Sequence, residues 1–320
     1  MRKSLLIILI LLGSFSSQAT EFEEGLVFPK AEILNEYTAR IPFKLIDNLI
    51  VVEAELLDKK GNFIIDTGSE SLILNKVHFS QRFYSSRKST STSGVIRSID
   101  GVYTRNLKEF ILKNFSINNA TSDVIDLSHI EKRKKMNLLG IIGYNILKEY
   151  EVFIDLHLNQ ITLSKVDKNG VKLDKEVYLE KITDSIAFRL NRHTIILDTY
   201  IDGNKMKFGL DSGAEFNQIN KNGNNKILKF FLPNKKLILV GSGGEKAEVL
   251  AGKLYGIKLT DNIYFGPMNT ILTNLSRMQE AFGTHLDGIL GYQFFAQKRT
   301  IINYQKKMLY FIDFPLNFNP

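Results

Sequence analysis

Apolar and polar residues alternate in short runs along the chain, which is typical of β-strands. The alternation is regular at residues 41–45 and looser at residues 186–190. Turn-forming residues at 58–62 and 202–205 interrupt apolar runs, so each place is predicted to be a hairpin. Short helices are predicted at residues 145–150, 276–282 and 293–298. The pattern as a whole predicts an all-β chain with a few short helices.

The pattern occurs twice, which indicates that the chain arose by internal duplication. Residues 41–75 align without a gap with residues 186–220, at a spacing of 145. Residues 140–144 match residues 288–292 at a spacing of 148. Two matching blocks in the same order are poorly explained by chance. We therefore expect two similar β-rich units, an N-terminal lobe at residues 20–170 and a C-terminal lobe at residues 171–320.

Each copy carries the same short sequence, in which Asp follows apolar residues and precedes Thr or Ser and then Gly. Asp66 and Asp211 stand where a β-rich run meets the glycine, so each carboxylate is expected at a strand-to-loop junction. Two carboxylates brought close together cannot both ionise easily, and they titrate as a pair. Such a pair can share a proton and activate a water molecule. Peptide-bond hydrolysis is therefore the leading hypothesis, and turn capping is the alternative role for each Asp.

The residues that follow each Asp suit this arrangement. The hydroxyl groups of Thr67 and Ser212 are predicted to hydrogen-bond across the junction between the two copies. Gly68 and Gly213 allow the backbone to pass closely, and their amides are predicted to donate hydrogen bonds to the carboxylates. We therefore expect the two turns to form one joined structure.

The turns resemble the active-site turns of two-lobed bacterial aspartyl proteases of the retropepsin/pepsin superfamily. Residues 66–69 and 211–214 match those turns, and the resemblance covers nearly all of residues 40–312. It implies two β-barrel-like lobes with a cleft between them and an aspartic endopeptidase whose catalytic pair is Asp66 and Asp211. It also implies that there is no covalent intermediate, metal or cofactor. The family's later apolar-apolar-Gly element is matched by Ile141, Ile142 and Gly143 and by Ile289, Leu290 and Gly291.

The two turns differ in the third residue after Asp. The Ser69 hydroxyl is expected to donate to the outer oxygen of its Asp and to favour the ionised form, whereas Ala214 has no hydroxyl. We therefore expect the apparent pKa values of the pair to be higher than in a chain with Ser at both positions. Glu70 and Glu215 also repeat, and they are expected to cap turns or to pair with basic residues, without a chemical role.

The resemblance further implies a flap, a hairpin that closes over the substrate. In the first lobe the candidate is residues 93–104, and in the second it is residues 241–244. Tyr103 is a candidate flap tyrosine, with an ordinary exposed aromatic residue as the alternative. The candidate flap residues are Gly94, Gly101, Tyr103, Gly241, Gly243 and Gly244.

The N-terminus reads as an export signal. Arg2 and Lys3 precede an apolar run at residues 4–12, and small residues end at Ala19, so residues 1–19 are predicted to be a cleaved signal peptide. The chain is then expected in the periplasm or outside the cell, without membrane association after cleavage. Cysteine is absent, which excludes thiol catalysis, thiolate metal sites and disulfides.

The charge distribution and the histidines do not indicate a nucleic-acid site or a metal site. The net charge of +8 is spread thinly, and the dense run at residues 132–135 is expected to be a solvated loop rather than a nucleic-acid site. The five histidines have no metal-ligand spacing and are expected at the surface or in the core. The expected partner is a peptide or protein substrate, and a monomer suffices because one chain supplies both Asp residues. The alternatives are a peptide-binding protein of the same fold that does not cut, and a scaffold.

Overall fold

The computed structural model describes residues 5–7, 28–79, 88–89, 92–94, 98–99, 102–112, 115–176, 180–240 and 246–314. These residues are mostly in β-strands, in agreement with the predicted all-β class, and their helices are short. None of the helices in these ranges has the length and apolar character needed to cross a membrane. We call residues 28–176 the first half and residues 180–314 the second half.

The strands of the first half, with the short strand that precedes it, are β1 (Leu5–Ile7), β2 (Glu32–Ile33), β3 (Thr38–Pro42), β4 (Lys44–Ile46), β5 (Leu49–Leu56), β6 (Lys59–Ile65), β7 (Leu72–Asn75), β8 (Lys88–Ser89), β9 (Thr92–Gly94), β10 (Ser98–Ile99), β11 (Val102–Leu112), β12 (Phe115–Ile125), β13 (Leu138–Ile142), β14 (Tyr150–Asp155) and β15 (Gln160–Lys165). Its helices are α1 (Ser128–Lys134) and α2 (Tyr144–Leu147).

The strands of the second half are β16 (Asp184–Ala187), β17 (Arg189–Asn191), β18 (Thr194–Ile201), β19 (Asn204–Leu210), β20 (Asn217–Asn220), β21 (Phe231–Val240), β22 (Lys246–Leu254), β23 (Ile257–Lys258), β24 (Met268–Thr273), β25 (Gly288–Leu290), β26 (Arg299–Asn303) and β27 (Met308–Ile312). Its helices are α3 (Asn225–Leu228), α4 (Ser276–Phe282) and α5 (Tyr292–Phe295).

The two halves each build a large mixed sheet in the same way. The first has the strand order β4-β5-β6-β13-β7-β12-β11-β8, and the second has the order β17-β18-β19-β25-β20-β24-β22-β21 with β23 beside β18. In both, the strand that precedes the Asp runs parallel to the strand that ends in apolar-apolar-Gly. In both, that second strand is antiparallel to the strand that leaves the Asp turn. The two Asp residues therefore occupy equivalent places in equivalent sheets.

A third sheet joins the halves. Its order is β16-β27-β26-β14-β15-β3-β2, so it contains strands from both parts of the chain. The central pairing, β14 with β26, is antiparallel. A buried ion pair also joins β14 and β26, since Arg299 of β26 lies 2.6 Å from the Asp155 carboxylate of β14. Arg299 also pairs with Glu180 at the start of the second half, which ties the connecting segment to this sheet.

Alternate residues of each sheet enter different hydrophobic clusters. In β6, Phe63 and Ile65 join the main cluster, which runs through both halves, while Ile64 faces the opposite side. That opposite side is covered by α1 through Ile130. In the second half α4 covers the equivalent face through Phe282. Each such side chain contributes about 1.5 to 3 kcal/mol by leaving water, so these contacts hold the two Asp strands in place.

Several local predictions can be compared with the structure. The helix at residues 276–282 is confirmed, whereas the other two predicted helices begin one residue earlier and are shorter, at α2 and α5. The prediction of a solvated loop at residues 132–135 is wrong, because the run lies at the end of α1 and the Lys134 side chain is buried. Within residues 1–19 the structure describes only β1, which pairs in parallel with β9. The signal peptide therefore stays a prediction.

Candidate active site

Each Asp is held at its backbone by the neighbouring apolar-apolar-Gly strand. The amide of Asp66 donates to the carbonyl oxygen of Ile142 at 3.0 Å, and the amide of Asp211 donates to that of Leu290 at 2.9 Å. These bonds continue the parallel pairing of β6 with β13 and of β19 with β25. The carboxylates therefore extend from the ends of fully paired, buried strands, which restricts their movement.

The glycines after these strands are required by close packing. A Cβ atom added to Gly143 would lie 2.4 Å from the carbonyl oxygen of Ser71 and 2.7 Å from that of Ser69. A Cβ atom added to Gly291 would lie 2.3 Å from the carbonyl oxygen of Ala214. Since no side chain fits at these distances, the glycine allows the apolar-apolar-Gly strand to pass directly behind the Asp turn.

The two Asp turns are joined by reciprocal hydrogen bonds between the halves. The amide of Thr67 donates to the Ser212 hydroxyl at 3.0 Å, and the amide of Ser212 donates to the Thr67 hydroxyl at 2.9 Å. Each hydroxyl also donates to a strand end in the opposite half, from Ser212 to the Ile65 carbonyl at 2.9 Å and from Thr67 to the Leu210 carbonyl at 3.5 Å. All of these groups are buried, so the two turns form one rigid unit.

The second turn packs directly on the first carboxylate. A Cβ atom added to Gly213 would lie 2.6 Å from both Cγ and Oδ2 of Asp66. Only glycine permits this approach. Asp66 and Asp211 are 1% and 2% exposed, so the structure brings both predicted Asp residues together in one buried place.

The two carboxylates receive different numbers of hydrogen bonds. Oδ1 of Asp66 accepts from the amides of Gly68 at 2.9 Å and Ser69 at 3.0 Å. Oδ1 of Asp211 accepts from the Gly213 amide alone among the described residues, at 2.8 Å. Because amide donors stabilise the charged form, they favour ionisation of Asp66 over Asp211.

Burial opposes the amide hydrogen bonds, because it raises the pKa of both carboxyl groups. It raises the pKa of Asp66 to about 6, while the Gly68 amide, the Asp211 side chain and the Ser69 amide limit the increase. Burial and the charge of Asp66 raise the pKa of Asp211 well above its usual range. Apart from the Asp66 side chain, no described residue donates a hydrogen bond to the buried Oδ2 of Asp211. The hydrogen bonds and the charges therefore favour ionisation of Asp66 before Asp211, whose pKa is raised further.

The expected role of the Ser69 hydroxyl is wrong. This hydroxyl donates to the carbonyl oxygen of Ser71 at 3.2 Å, and the Ser69 amide contacts Asp66 instead. The Ala214 amide donates to the main-chain oxygen of Asp211 at 3.2 Å rather than to its carboxylate. The difference between the turns therefore arises from backbone geometry, and the missing hydroxyl at Ala214 does not explain it.

Charged residues of the first half lie beside the second turn. Glu215 is 2% exposed, and its Oε1 lies 2.6 Å from Nζ of Lys134. Nζ of Lys134 also donates to Asp47 at 2.8 Å, and the Asn48 side chain donates to the main-chain oxygen of Glu215 at 3.2 Å. The pairing of Glu215 with a basic residue agrees with its expected role. Asp47 and Asn48 carry no motif of their own. The internal repeat could have indicated them, because residues 47 and 48 align with residues 192 and 193.

The residue that aligns with Asn48 is a buried histidine. His193 is 1% exposed, and its Nδ1 lies 3.9 Å from the Glu70 carboxylate. Burial and the charge of Arg192 lower the pKa of His193 to about 4. His193 is therefore neutral at physiological pH, and it does not form an ion pair with Glu70 at that pH.

The flap remains a prediction. Gly94 lies in β9, and Tyr103 lies in β11 opposite Val124 of β12. In the second half β21 and β22 form a long hairpin whose connection is residues 241–245. The flap candidates Gly101, Gly241, Gly243 and Gly244 lie outside the described residues. Among the described residues no group of three or more His, Asp or Glu side chains could hold a metal ion.

Comparison with known proteins gives a weak structural similarity. No protein-family model and no curated protein sequence matches the chain significantly. A crystal structure of a retropepsin-like aspartic protease from Rickettsia conorii matches 40% of this chain and 90% of its own, with 16% sequence identity and a TM-score of 0.28. This similarity is weak, so the functional argument depends on the geometry of the two Asp turns.

Proposed function

We propose that the protein is an aspartic-type endopeptidase that cleaves peptide bonds with a water molecule activated between Asp66 and Asp211. The observation that carries this proposal is the set of reciprocal hydrogen bonds between Thr67 and Ser212. They hold two buried carboxylates from equivalent turns against each other, although isolated buried carboxylates are costly. A turn-capping role for each Asp explains neither the joining of the turns nor the burial.

The unequal electrostatics suit general acid–base catalysis. Asp66, as the ionised member, takes a proton from water while the water oxygen attacks the carbonyl carbon of the peptide bond. Asp211 gives its proton to the carbonyl oxygen, which forms a neutral tetrahedral diol. The diol collapses as the proton on Asp66 moves to the departing amine and the diol returns a proton to Asp211. The C–N bond breaks, and both groups regain their starting states without a covalent intermediate.

We further propose that the chain has a two-lobed, pepsin/retropepsin-like fold derived from duplication. The shared strand order of the two large sheets supports this reading, as does the third sheet, which contains strands of both halves. One chain supplies both Asp residues, so a monomer is sufficient. The predicted signal peptide implies that the enzyme works on peptides or proteins in the periplasm or outside the cell.

The test is cleavage of a peptide library by residues 20–320 from about pH 3 to about pH 8, the range over which carboxylate pairs titrate. The Asp66→Asn and Asp211→Asn variants should fold normally and lose cleavage. Asp261→Asn is the matched control, because that side chain is 92% exposed. Cleavage that survives either active-site change would overturn the dyad. Peptide binding without any turnover by the wild type would instead support the peptide-binding protein.

A further inference from the structure

A buried lysine connects the first half to the Asp turn of the second half. Lys134 is the last residue of α1, and its side chain is fully buried. Its Nζ forms an ion pair with Glu215 at 2.6 Å and a hydrogen bond with Asp47 at 2.8 Å. Glu215 directly follows the turn that carries Asp211. A charge from one half of the chain is therefore fixed next to a catalytic turn of the other half.

The first half also holds the backbone of Glu215. Nδ2 of Asn48 donates to its main-chain oxygen at 3.2 Å. On the other side, the preceding residue Ala214 is fixed twice, since its amide donates to the Asp211 carbonyl and its carbonyl accepts from the Tyr292 amide at 2.9 Å. A shift of Glu215 therefore cannot be absorbed locally and would move the turn itself.

Burial makes the charged form of Glu215 depend on its contact with Lys134. It raises the pKa of Glu215 to about 8, an increase that Lys134 opposes, while Asp47 adds to it and Arg133 reduces it. A buried carboxylate needs a partner, and removing the partner leaves an uncompensated buried charge. The first turn is built differently, because its Glu70 is 41% exposed and faces the neutral His193. The ion pair with the buried Lys134 lies at the turn of Asp211.

We propose that Lys134 is a positioning residue for Asp211, and that it acts through Glu215. By holding Glu215, it keeps the Gly213 amide aligned with Oδ1 of Asp211, where the hydrogen bond is 2.8 Å long. The proposal depends on the proposed function only for its kinetic consequence. Its structural consequence, a change in how Asp211 titrates, does not depend on cleavage.

The first experiment compares Lys134→Met, Lys134→Arg and the exposed control Lys132→Met in the full chain. Carbon NMR of Asp-labelled protein follows the two dyad carboxyl groups, with Asp66→Asn and Asp211→Asn used to assign them. Loss of the aligned Gly213 amide should move the Asp211 titration in Lys134→Met upward by about half a pH unit or more. In the same variant kcat should fall by about tenfold or more at an unchanged KM. Lys134→Arg should recover both values, and Lys132→Met should match the wild type.

The second experiment removes the buried charge so that folding does not limit the comparison. Lys134→Met should lower the melting temperature more at about pH 9 than at about pH 5, because Glu215, whose pKa is about 8 in the wild type, is ionised and paired with Lys134 only at the higher pH. Adding Glu215→Gln should remove that pH dependence and restore folding, while the Asp211 titration stays displaced.

The outcomes separate the two proposals. Lowered melting with an unchanged Asp211 titration, in the single and double variants alike, would make Lys134 a structural residue and overturn the inference. If the wild type cleaves no peptide but the titration of Asp211 responds to Lys134, the proposed function fails and the positioning role stands.

Discussion

The turns around Asp66 and Asp211 have nearly the same sequence but different surroundings. Asp66 accepts two amide hydrogen bonds, and the Glu that follows its turn is partly exposed. Asp211 accepts one amide hydrogen bond, and its following Glu215 is buried against Lys134. Two turns of similar sequence thus favour ionisation of Asp66 over Asp211. In the proposed mechanism this difference assigns the role of general base to Asp66 and that of general acid to Asp211.

A second difference between the halves lies at residues 48 and 193, which align with each other. Asn48 of the first half donates to the backbone of Glu215, while the equivalent His193 of the second half is buried, neutral and 3.9 Å from Glu70. The equivalent positions therefore both contact the turn of the opposite half, through an amide side chain at Asn48 and a neutral imidazole at His193.

The largest expected effect comes from disturbing the contact between the turns. Gly213→Ala would place a Cβ atom 2.6 Å from the Asp66 carboxyl group, so the two turns must move apart. We expect cleavage to fall by about 100-fold or more, because a shift of the reacting groups by about 1 Å is enough for that loss. Unfolding in urea should show a loss of about 1 to 3 kcal/mol.

The matched control for this change is Gly266→Ala, whose added Cβ atom would meet its nearest atom, Oε1 of Gln297, at an ordinary 3.4 Å. It should leave cleavage and stability close to those of the wild type. Equal activity in Gly213→Ala and Gly266→Ala would show that the second turn does not need to touch Asp66.

The pH dependence of cleavage tests the unequal roles of the pair. Asp66 must be ionised, so kcat/KM should rise about tenfold per pH unit up to about pH 6, the pKa of Asp66, and then level off. It should fall again at higher pH as Asp211, whose pKa is raised well above its usual range, loses its proton. An optimum near pH 3 with declining activity at pH 6 would contradict this assignment.

The remaining prediction concerns stability alone, without an effect on cleavage, at the equivalent positions 48 and 193. The folded protein keeps His193 neutral down to about pH 4, whereas the unfolded chain binds a proton below about 6.5. His193 therefore costs stability as the pH falls through that window, by up to about 3 kcal/mol. His193→Asn, which copies residue 48, should remove this loss relative to the wild type in urea unfolding at about pH 4 and 7.

The same substitution at the exposed His285, His285→Asn, is the matched control for the change of residue type. Asp66, Asp211 and Glu215, whose pKa values are raised, contribute the opposite slope, because the folded state then binds more protons than the unfolded chain. Only the difference between wild type and variant isolates His193. Identical slopes for His193→Asn and wild type would mean that the histidine is already protonated in the folded state.

The local elements were the most predictable part of the fold. The α4 helix at Ser276–Phe282 and the hairpin turn at Asp202 and Gly203 follow from short-range patterns, and both are present. The first hairpin turns one residue earlier than predicted, at Leu57 and Asp58, which both have positive φ angles of 50° and 61°. The prediction for the basic run at 132–135 was wrong because lysine is usually exposed. Nothing near Lys134 in the sequence indicates that Glu215 of the other half contacts it.

The sequence by itself determined that two equivalent turns exist, which residues they contain, and where glycine permits close backbone contact. Those features depend on residues near each other along the chain and on a repeat that can be seen without coordinates. The tertiary structure alone decided that amides rather than the Ser69 hydroxyl contact Asp66, that the pKa of Asp211 is raised well above its usual range, and that Lys134 pairs with Glu215. Burial and ion pairing depend on how residues from both halves pack together, and they set the pKa values only once that packing has removed the groups from water.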